Sequence, residues 1–305
     1  MAFLTIFTAP KPFTNPHIAI IQRNAVQAWR HLDDVDVILI GDEPGIPEAA
    51  RELGVRNVPE VKRDEQGVPL VSSLMEIGHS HGNSPMLCYA NADMILMSDL
   101  VHAARNVAGL KKDLLLVGRR WNLDVNAPLD FSGDWESRLR EQVAQNGVLY
   151  TPWGIDYFVF PRHLYTHVPD FTIGRVAWDN WMIYHARTTF GLAVDASPDV
   201  LAVHQNHDYS HLPGQKLYGT EIARANLAKA GGRKCIYNTL DTNRELVQGR
   251  LRRPRFRLER ILRRLERVFI NDKGKGWSWE ISLRLQRLQR SLAVKPRRSS
   301  HASRT

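Results

Sequence analysis

Three short stretches of this 305-residue sequence carry the side chains best suited to chemistry. The first is Tyr89-Ala90-Asn91-Ala92-Asp93, where an amide and a carboxylate stand two residues apart just after the apolar run Met86-Leu87-Cys88-Tyr89. In an extended segment such positions face the same way. A carboxylate so placed can hold a hard divalent cation, Mn²⁺ or Mg²⁺, which in turn bridges phosphate oxygens. The plainer alternative is that Asn91 and Asp93 only shape the turn towards a helix starting near Asp99.

The second stretch is Trp178-Asp179-Asn180-Trp181, at the opening of a helical pattern. The helix dipole favours the Asp179 anion, aromatic surroundings disfavour it, and a carboxyl tuned between them can work as a general base near neutral pH. Asp is also a leading helix cap, so a purely structural role competes. The third stretch, His204-Gln205-Asn206-His207-Asp208-Tyr209-Ser210-His211, is the densest set of metal-capable side chains. His204 follows the apolar Val200-Leu201-Ala202-Val203 and is expected to emerge at a strand end, where imidazole can ligate a metal or stabilise an anion. A zinc hydrolase built on His204, His207 and Asp208 is a rival reading, and a surface loop with local hydrogen bonds is the bland one.

These residues need a scaffold that brings strand ends together, and the order of elements supplies one. A strand at 3–7 is followed by Asn15-Pro16, a cap and a first-turn proline, and by Ile18, Ile21, Val26 and Trp29 at helical spacing. Val35-Asp36-Val37-Ile38-Leu39-Ile40 reads as a buried strand ending in Gly41-Asp42-Glu43-Pro44-Gly45. Further elements are expected as a helix at 47–53, a strand at 55–61, a helix at 70–79 and a strand at 86–90. The pattern continues with a helix from 99, strands at 114–117 and 155–160, a helix at 178–186, strands at 192–194 and 200–203, and a helix at 217–230. Alternating strands and helices imply a mainly parallel, doubly wound α/β sheet flanked by helices. Ligands of such sheets sit beyond the carboxyl ends of the strands. Loops after Phe7, Ile40 and Ala90 should therefore line one crevice, with Asp42 or Glu43 placed to meet a nucleotide base or ribose, unless they only form a turn. Arg119 and Arg120 follow a strand and can reach an anion or stay solvated.

With this order established, the sequence resembles the GT-A fold glycosyltransferases over roughly residues 1–212. The resemblance rests on Gly41-Asp42-Glu43, on Gly67 and Ser72 before a helix, on Asn91-Ala92-Asp93 after a buried strand, on Pro152-Trp153-Gly154-Ile155-Asp156, on Trp178-Asp179-Asn180-Trp181 and on His204-Gln205-Asn206-His207. The family's strand-terminal motif is usually Asp-x-Asp, and Asn91 departs from it. The resemblance implies a nucleotide-diphosphate sugar donor bound by Asp42, Glu43, Asn91, Asp93, Gly154 and Asp156, and a divalent cation held by Asp93 with His204 and His207. It also implies a base at Asp179 if the sugar's configuration is inverted, the outcome favoured here, and an orienting or stabilising role for Asp179 if it is retained. The acceptor, whether a glycan, a lipid-linked sugar or a small molecule, is left open, and a non-catalytic scaffold of the same fold is a further rival.

Charge divides the chain. Residues 250–305 hold 18 Lys and Arg against 4 Asp and Glu, whereas the rest holds 23 against 28, so the formal +9 belongs to the C-terminal tail. The division expected is a catalytic domain at 1–249 and a basic helical tail at 250–305, its last residues disordered. A mildly acidic main domain argues against a globular nucleic-acid binder. In the tail Leu258, Ile261, Leu262, Leu265, Val268 and Phe269 recur at helical spacing among five arginines, and Trp277, Ile281, Leu285, Leu288 and Leu292 follow the Lys273-Gly274-Lys275-Gly276 break. Such basic amphipathic helices attach to anionic membranes or pack on a neighbouring domain. Two distant cysteines give no disulfide framework, and no secretory pattern opens the sequence. The expected location is cytoplasmic, peripheral on the membrane's inner face.

Overall fold

The computed structural model describes residues 1–207 and 219–293. It falls into two compact units, Met1–Pro254 and Arg255–Thr305. The first unit opens with β1 (Leu4–Thr8), α1 (Pro16–Arg30), β2 (Val35–Ile40), α2 (Ile46–Leu53), β3 (Arg56–Val58), α3 (Val71–His81) and β4 (Met86–Ala90). Next come β5 (Met94–Ile95), α4 (Ser98–Ala108), β6 (Leu115–Val117), β7 (Arg120–Leu123), α5 (Trp135–Asn146), β8 (Val148–Leu149) and β9 (Tyr157–Pro161). It closes with α6 (Trp178–His185), β10 (Ala193–Asp195), β11 (Ala202–Gln205), α7 (Glu221–Lys229), β12 (Arg244–Val247) and β13 (Arg250–Arg252).

Nine strands form the main sheet in the order β13-β12-β10-β6-β9-β4-β1-β2-β3. β3, β2, β1 and β4 run parallel, as do β6, β10 and β12. β9 is inserted antiparallel between β4 and β6, and β13 is antiparallel at the edge. The sheet is mainly parallel because most connections are helical crossovers, which only parallel strands require. Successive side chains on each strand point to opposite faces. Leu4 and Ile6 therefore join Trp29, Met86 and Cys88 in one apolar core, while Phe7 joins Leu87, Tyr89, Phe158 and Trp181 in the other. Both faces are covered, which is the doubly wound arrangement expected. The cap of α1 is also as expected, with the Asn15 side chain accepting the Ile18 N–H at 3.1 Å.

The chain winds outward through β1, β2 and β3, then crosses back to place β4 on the far side of β1. That reversal is a topological switch point, and it opens a crevice at the carboxyl ends of β1 and β4. β9 runs the other way, so its start lies at the same edge; Asp156, just before it, is thereby brought beside Asn91.

Several expectations are corrected. The strand expected at 200–203 is β11, and it belongs to a second sheet, β5-β11-β7-β8. His204 lies inside this strand, paired with Met94, rather than beyond its end. The strand expected at 55–61 is only three residues long, because residues beyond Val58 leave the sheet. Residues 250–252, expected to start the tail, form β13 and pair with β12, so the second unit begins at Arg255. That unit holds two helices packed side by side, α8 (Leu258–Phe269) and α9 (Trp277–Ala293). The expected helix at 217–230 is α7, whose start at Glu221 is capped by Thr220. Among the described residues no helix is long and apolar enough to cross a membrane.

Candidate active site

At the switch point lies a cavity of about 470 Å³, lined by residues from the loops after β1, β2 and β4, the segment before β9, the start of α6, and the end of β11 with the residues after it. It holds a trio of potential metal ligands. One ligand atom each from Asp93, His204 and His207 lies within 4.8 Å of the other two. His207 Nε2 stands 3.0 Å from Asp93 Oδ2, and His204 Nε2 stands 3.7 Å from the same oxygen.

Local sequence explains how residues so far apart in the chain meet. Gln205 is fully buried; its backbone N–H donates to Asp93 O at 3.1 Å and its side-chain amide to Ile21 O at 2.7 Å, while Asn24 donates to its Oε1 at 3.0 Å. β11 is thus fastened to the turn that carries Asp93. Asn206 extends the anchor by donating to Asp124 Oδ1 at 2.7 Å, which fixes the approach of His207.

Burial alone would raise the Asp93 pKa, but the charges of His204, His207 and Lys11, with the His207 hydrogen bond, hold it well below the usual carboxylate range. Burial pushes His204 down, against the pull of Asp93. Asp93 Oδ1 and His204 Nδ1 are buried without a hydrogen-bond partner among the described residues. Buried polar atoms ordinarily find partners, and one carboxylate with two imidazoles is a donor set suited to a divalent transition metal. The residues present fit such an ion. Asp208 and His211, the other metal-capable side chains of this loop, lie outside the described residues.

A second polar cluster forms the cavity wall. Arg120 Nη1 donates to Asp156 Oδ2 at 2.7 Å with both side chains buried, and its guanidinium lies 4.6 Å from the centre of the Tyr150 ring. Asn91 donates to Asp156 Oδ1 at 2.7 Å and accepts from the Tyr89 hydroxyl at 3.2 Å. Its amide is therefore tied to protein at both ends, so Asn91 braces Asp156 instead of mirroring Asp93. Gly154 is required by crowding, since a Cβ there would sit 2.3 Å from Tyr150 Cδ1.

Asp179 faces the same cavity from the first turn of α6. It is not the N-cap; that position is Ala177, at a φ of 92° that L-residues rarely adopt. Asp179 Oδ1 accepts the Asn180 N–H at 2.9 Å. Desolvation pushes its carboxyl up to about 7, helped by Asp156 and opposed by the Asn180 N–H and Arg120.

The β2 loop contributes Glu43, which lines the cavity and binds Arg63 through Oε1 at 2.7 Å, while Oε2 is buried without a partner among the described residues. Gly41, at a φ of 119°, makes room for that carboxylate: a Cβ would lie 2.2 Å from Oε2. Asp42 pairs with Arg63 at 2.6 Å, is mostly exposed and does not line the cavity. Arg119 turns away from the cavity and donates to Tyr150 O at 2.9 Å through Nε. Sequence reasoning missed Lys11 and Arg175, which also line the cavity. The loop after β1 was expected at this edge, but nothing in its pattern singled out the lysine.

Fold and site together define an α/β protein with a metal-capable crevice at a topological switch point. No protein-family model matches the chain, and no curated protein matches it. Among solved structures it is similar to the glucosyl-3-phosphoglycerate synthase of Mycobacterium tuberculosis, with 14% identity over 83% of this chain and 90% of that one at a TM-score of 0.46. The same enzyme in complex with Mn²⁺, uridine-diphosphate-glucose and phosphoglyceric acid aligns with 14% identity over 75% of this chain and 80% of that one, at a TM-score of 0.44. At this distance the chemistry has to be read from this chain's own residues.

Proposed function

We propose that this protein is a glycosyltransferase that moves a sugar from a nucleotide-diphosphate donor to an acceptor hydroxyl with the help of a divalent cation. The observation that carries the reading is the Asp93, His204 and His207 trio, set in one switch-point cavity with a carboxyl raised to about 7. Two imidazoles beside one carboxylate favour Mn²⁺ over Mg²⁺, which prefers an all-oxygen shell. When bound, the cation would offset the charge of the donor's diphosphate as the leaving group separates.

In this reading Glu43 receives an N–H or hydroxyl of the donor's nucleoside through its unpartnered oxygen. Lys11 adds positive charge at the end of the cavity where Asp93 stands. Asp156, held by Arg120 and Asn91, shapes the wall against which the sugar lies. Asp179 accepts the proton of the acceptor hydroxyl as that oxygen bonds to the anomeric carbon. The sugar–phosphate bond breaks, the diphosphate keeps the electron pair, and attack from the opposite face inverts the anomeric centre. A base poised near neutral pH suits this step.

Calorimetry of UDP and GDP binding, with and without Mn²⁺, tests the reading. One nucleotide should bind in a metal-linked manner, and Asp93→Ala should abolish that linkage while leaving the thermal transition in place. Metal-linked binding undiminished in Asp93→Ala would overturn the metal assignment. Tight zinc binding with no nucleotide effect would instead favour a hydrolase using His204 and His207.

A further inference from the structure

The second unit buries several polar side chains. α8 buries Arg260, Arg263 and Glu266 together with Leu262, and α9 buries Ser282 and Gln289. One buried polar bond crosses between the helices, Gln289 donating to Glu266 Oε2 at 2.7 Å, and within α8 Arg263 pairs with the same Glu266 at 3.0 Å. Ile261, Phe269, Ile281 and Leu285 are half-buried. Leu258, Leu265 and Val268 of α8 and Trp277 and Leu288 of α9 are exposed, with Val268 75% and Trp277 74% accessible, and Phe256 just before α8 is 89% accessible.

These residues form stripes. At 100° per residue, Leu258, Ile261, Leu265 and Val268 fall within an arc of about 80° on α8, as do Trp277, Ile281, Leu285, Leu288 and Leu292 on α9. The stripes meet where the helices join, since the Phe269 and Trp277 rings lie 6.3 Å apart. The exposed Arg264 flanks the α8 stripe, and Arg284, Arg287 and Arg290 stand exposed on α9. A soluble helical hairpin ordinarily places its apolar stripe between its helices. Here Arg260, Arg263 and Glu266 are buried beside Leu262, and the exposed members of the apolar stripes are flanked by arginine.

We propose that this hairpin is a membrane-surface anchor whose apolar stripes enter the interface of an anionic bilayer. The charge selects this partner over a second copy of the chain, because pairing two tails would bring two strongly basic surfaces face to face. Anionic lipid headgroups complement the arginines. Tryptophan and phenylalanine at the helix junction suit the headgroup boundary. The anchor does not depend on the transferase reading, since it uses none of the cavity residues.

Vesicle flotation of the full chain tests the proposal, with vesicles of phosphatidylcholine alone and of phosphatidylcholine with phosphatidylglycerol, at low and high salt. The protein should float with the anionic vesicles, bind at least about tenfold more weakly at high salt, and ignore the neutral ones. Leu265→Glu combined with Val268→Glu should reduce binding by at least about tenfold, with the helical circular dichroism kept because both positions are exposed. If that variant loses helicity, Arg264→Gln with Arg287→Gln serves instead, and should also weaken binding to anionic vesicles. Failure of the unmodified protein to float at low salt would overturn the proposal. So would undiminished binding by the folded variant, or a solution dimer that the glutamates dissociate.

Discussion

Asp179 illustrates how one carboxyl serves as a base when its surroundings pull in opposite directions. Desolvation and Asp156 favour the neutral acid, while Arg120 and the Asn180 N–H favour the anion, and the balance lies at about 7. Turnover in the proposed reaction should therefore rise with pH through a limb near 7. Asp179→Asn keeps the oxygen that accepts the Asn180 N–H but cannot take a proton, so turnover should fall by roughly 100-fold or more with donor affinity kept. Stability gives an independent readout. Because the folded-state pKa lies above the ordinary 3.8, unfolding releases a proton between about pH 4 and 7, so the carboxyl costs stability progressively through that window and fully above it. Thermal melting of Asp179→Asn should match the parent at low pH and exceed it above pH 7. Unchanged turnover with lowered stability would leave Asp179 a structural residue of α6.

At the scale of elements, the antiparallel strands do the positioning. β9 brings Asp156 to the carboxyl edge of its parallel neighbours, and β11 carries His204 up to Asp93 by pairing with β5. β13 closes the opposite edge of the main sheet, pairing three residues with β12, and its Leu251 packs against the core. Ending the chain at Gly249 would strip that strand, whereas ending it at Pro254 would keep it. The shorter chain should be less stable by roughly 2–4 kcal/mol, from lost ladder bonds and apolar burial. Urea unfolding of the two truncated chains checks this; equal midpoints would mean that β13 adds nothing to the sheet.

At the scale of the molecule, a cation held by Asp93 and the two histidines, as proposed, would link metal binding to stability. Any ligand that binds only the folded state stabilises it by mass action, and at 100 times its Kd the gain is about 2.7 kcal/mol. For a domain of this size that is roughly 5–10 °C in Tm. Differential scanning fluorimetry should show such a rise with Mn²⁺, reversed by EDTA and absent in Asp93→Ala. A rise that persists in Asp93→Ala would place the ion elsewhere.

The alternation of buried strands with helices was legible in the sequence because hydrophobic period is a local property: β1, β2, β4 and α1 lie close to where their patterns put them. Asp93, Asp179 and His204 were legible as candidates because each chemistry-bearing residue stands at the end of an apolar run or the opening of a helix. Which strand edges meet is not a local property. The run 155–160 reads the same whether it joins the sheet parallel or antiparallel, so its antiparallel insertion, and with it the Asp156–Arg120 pair, came only from the tertiary structure. The short strands β5, β7, β12 and β13 carry too few residues to show a period at all. The meeting of Asp93 with His207, 114 residues later, depends on β11 leaving the main sheet for a smaller one. In the tail two amphipathic stripes were legible, but which of their residues are exposed was decided by tertiary packing. Leu262 is buried beside Arg263 and Glu266, Gln289 of α9 bonds to Glu266, and Leu265, Val268, Trp277 and Leu288 are left exposed.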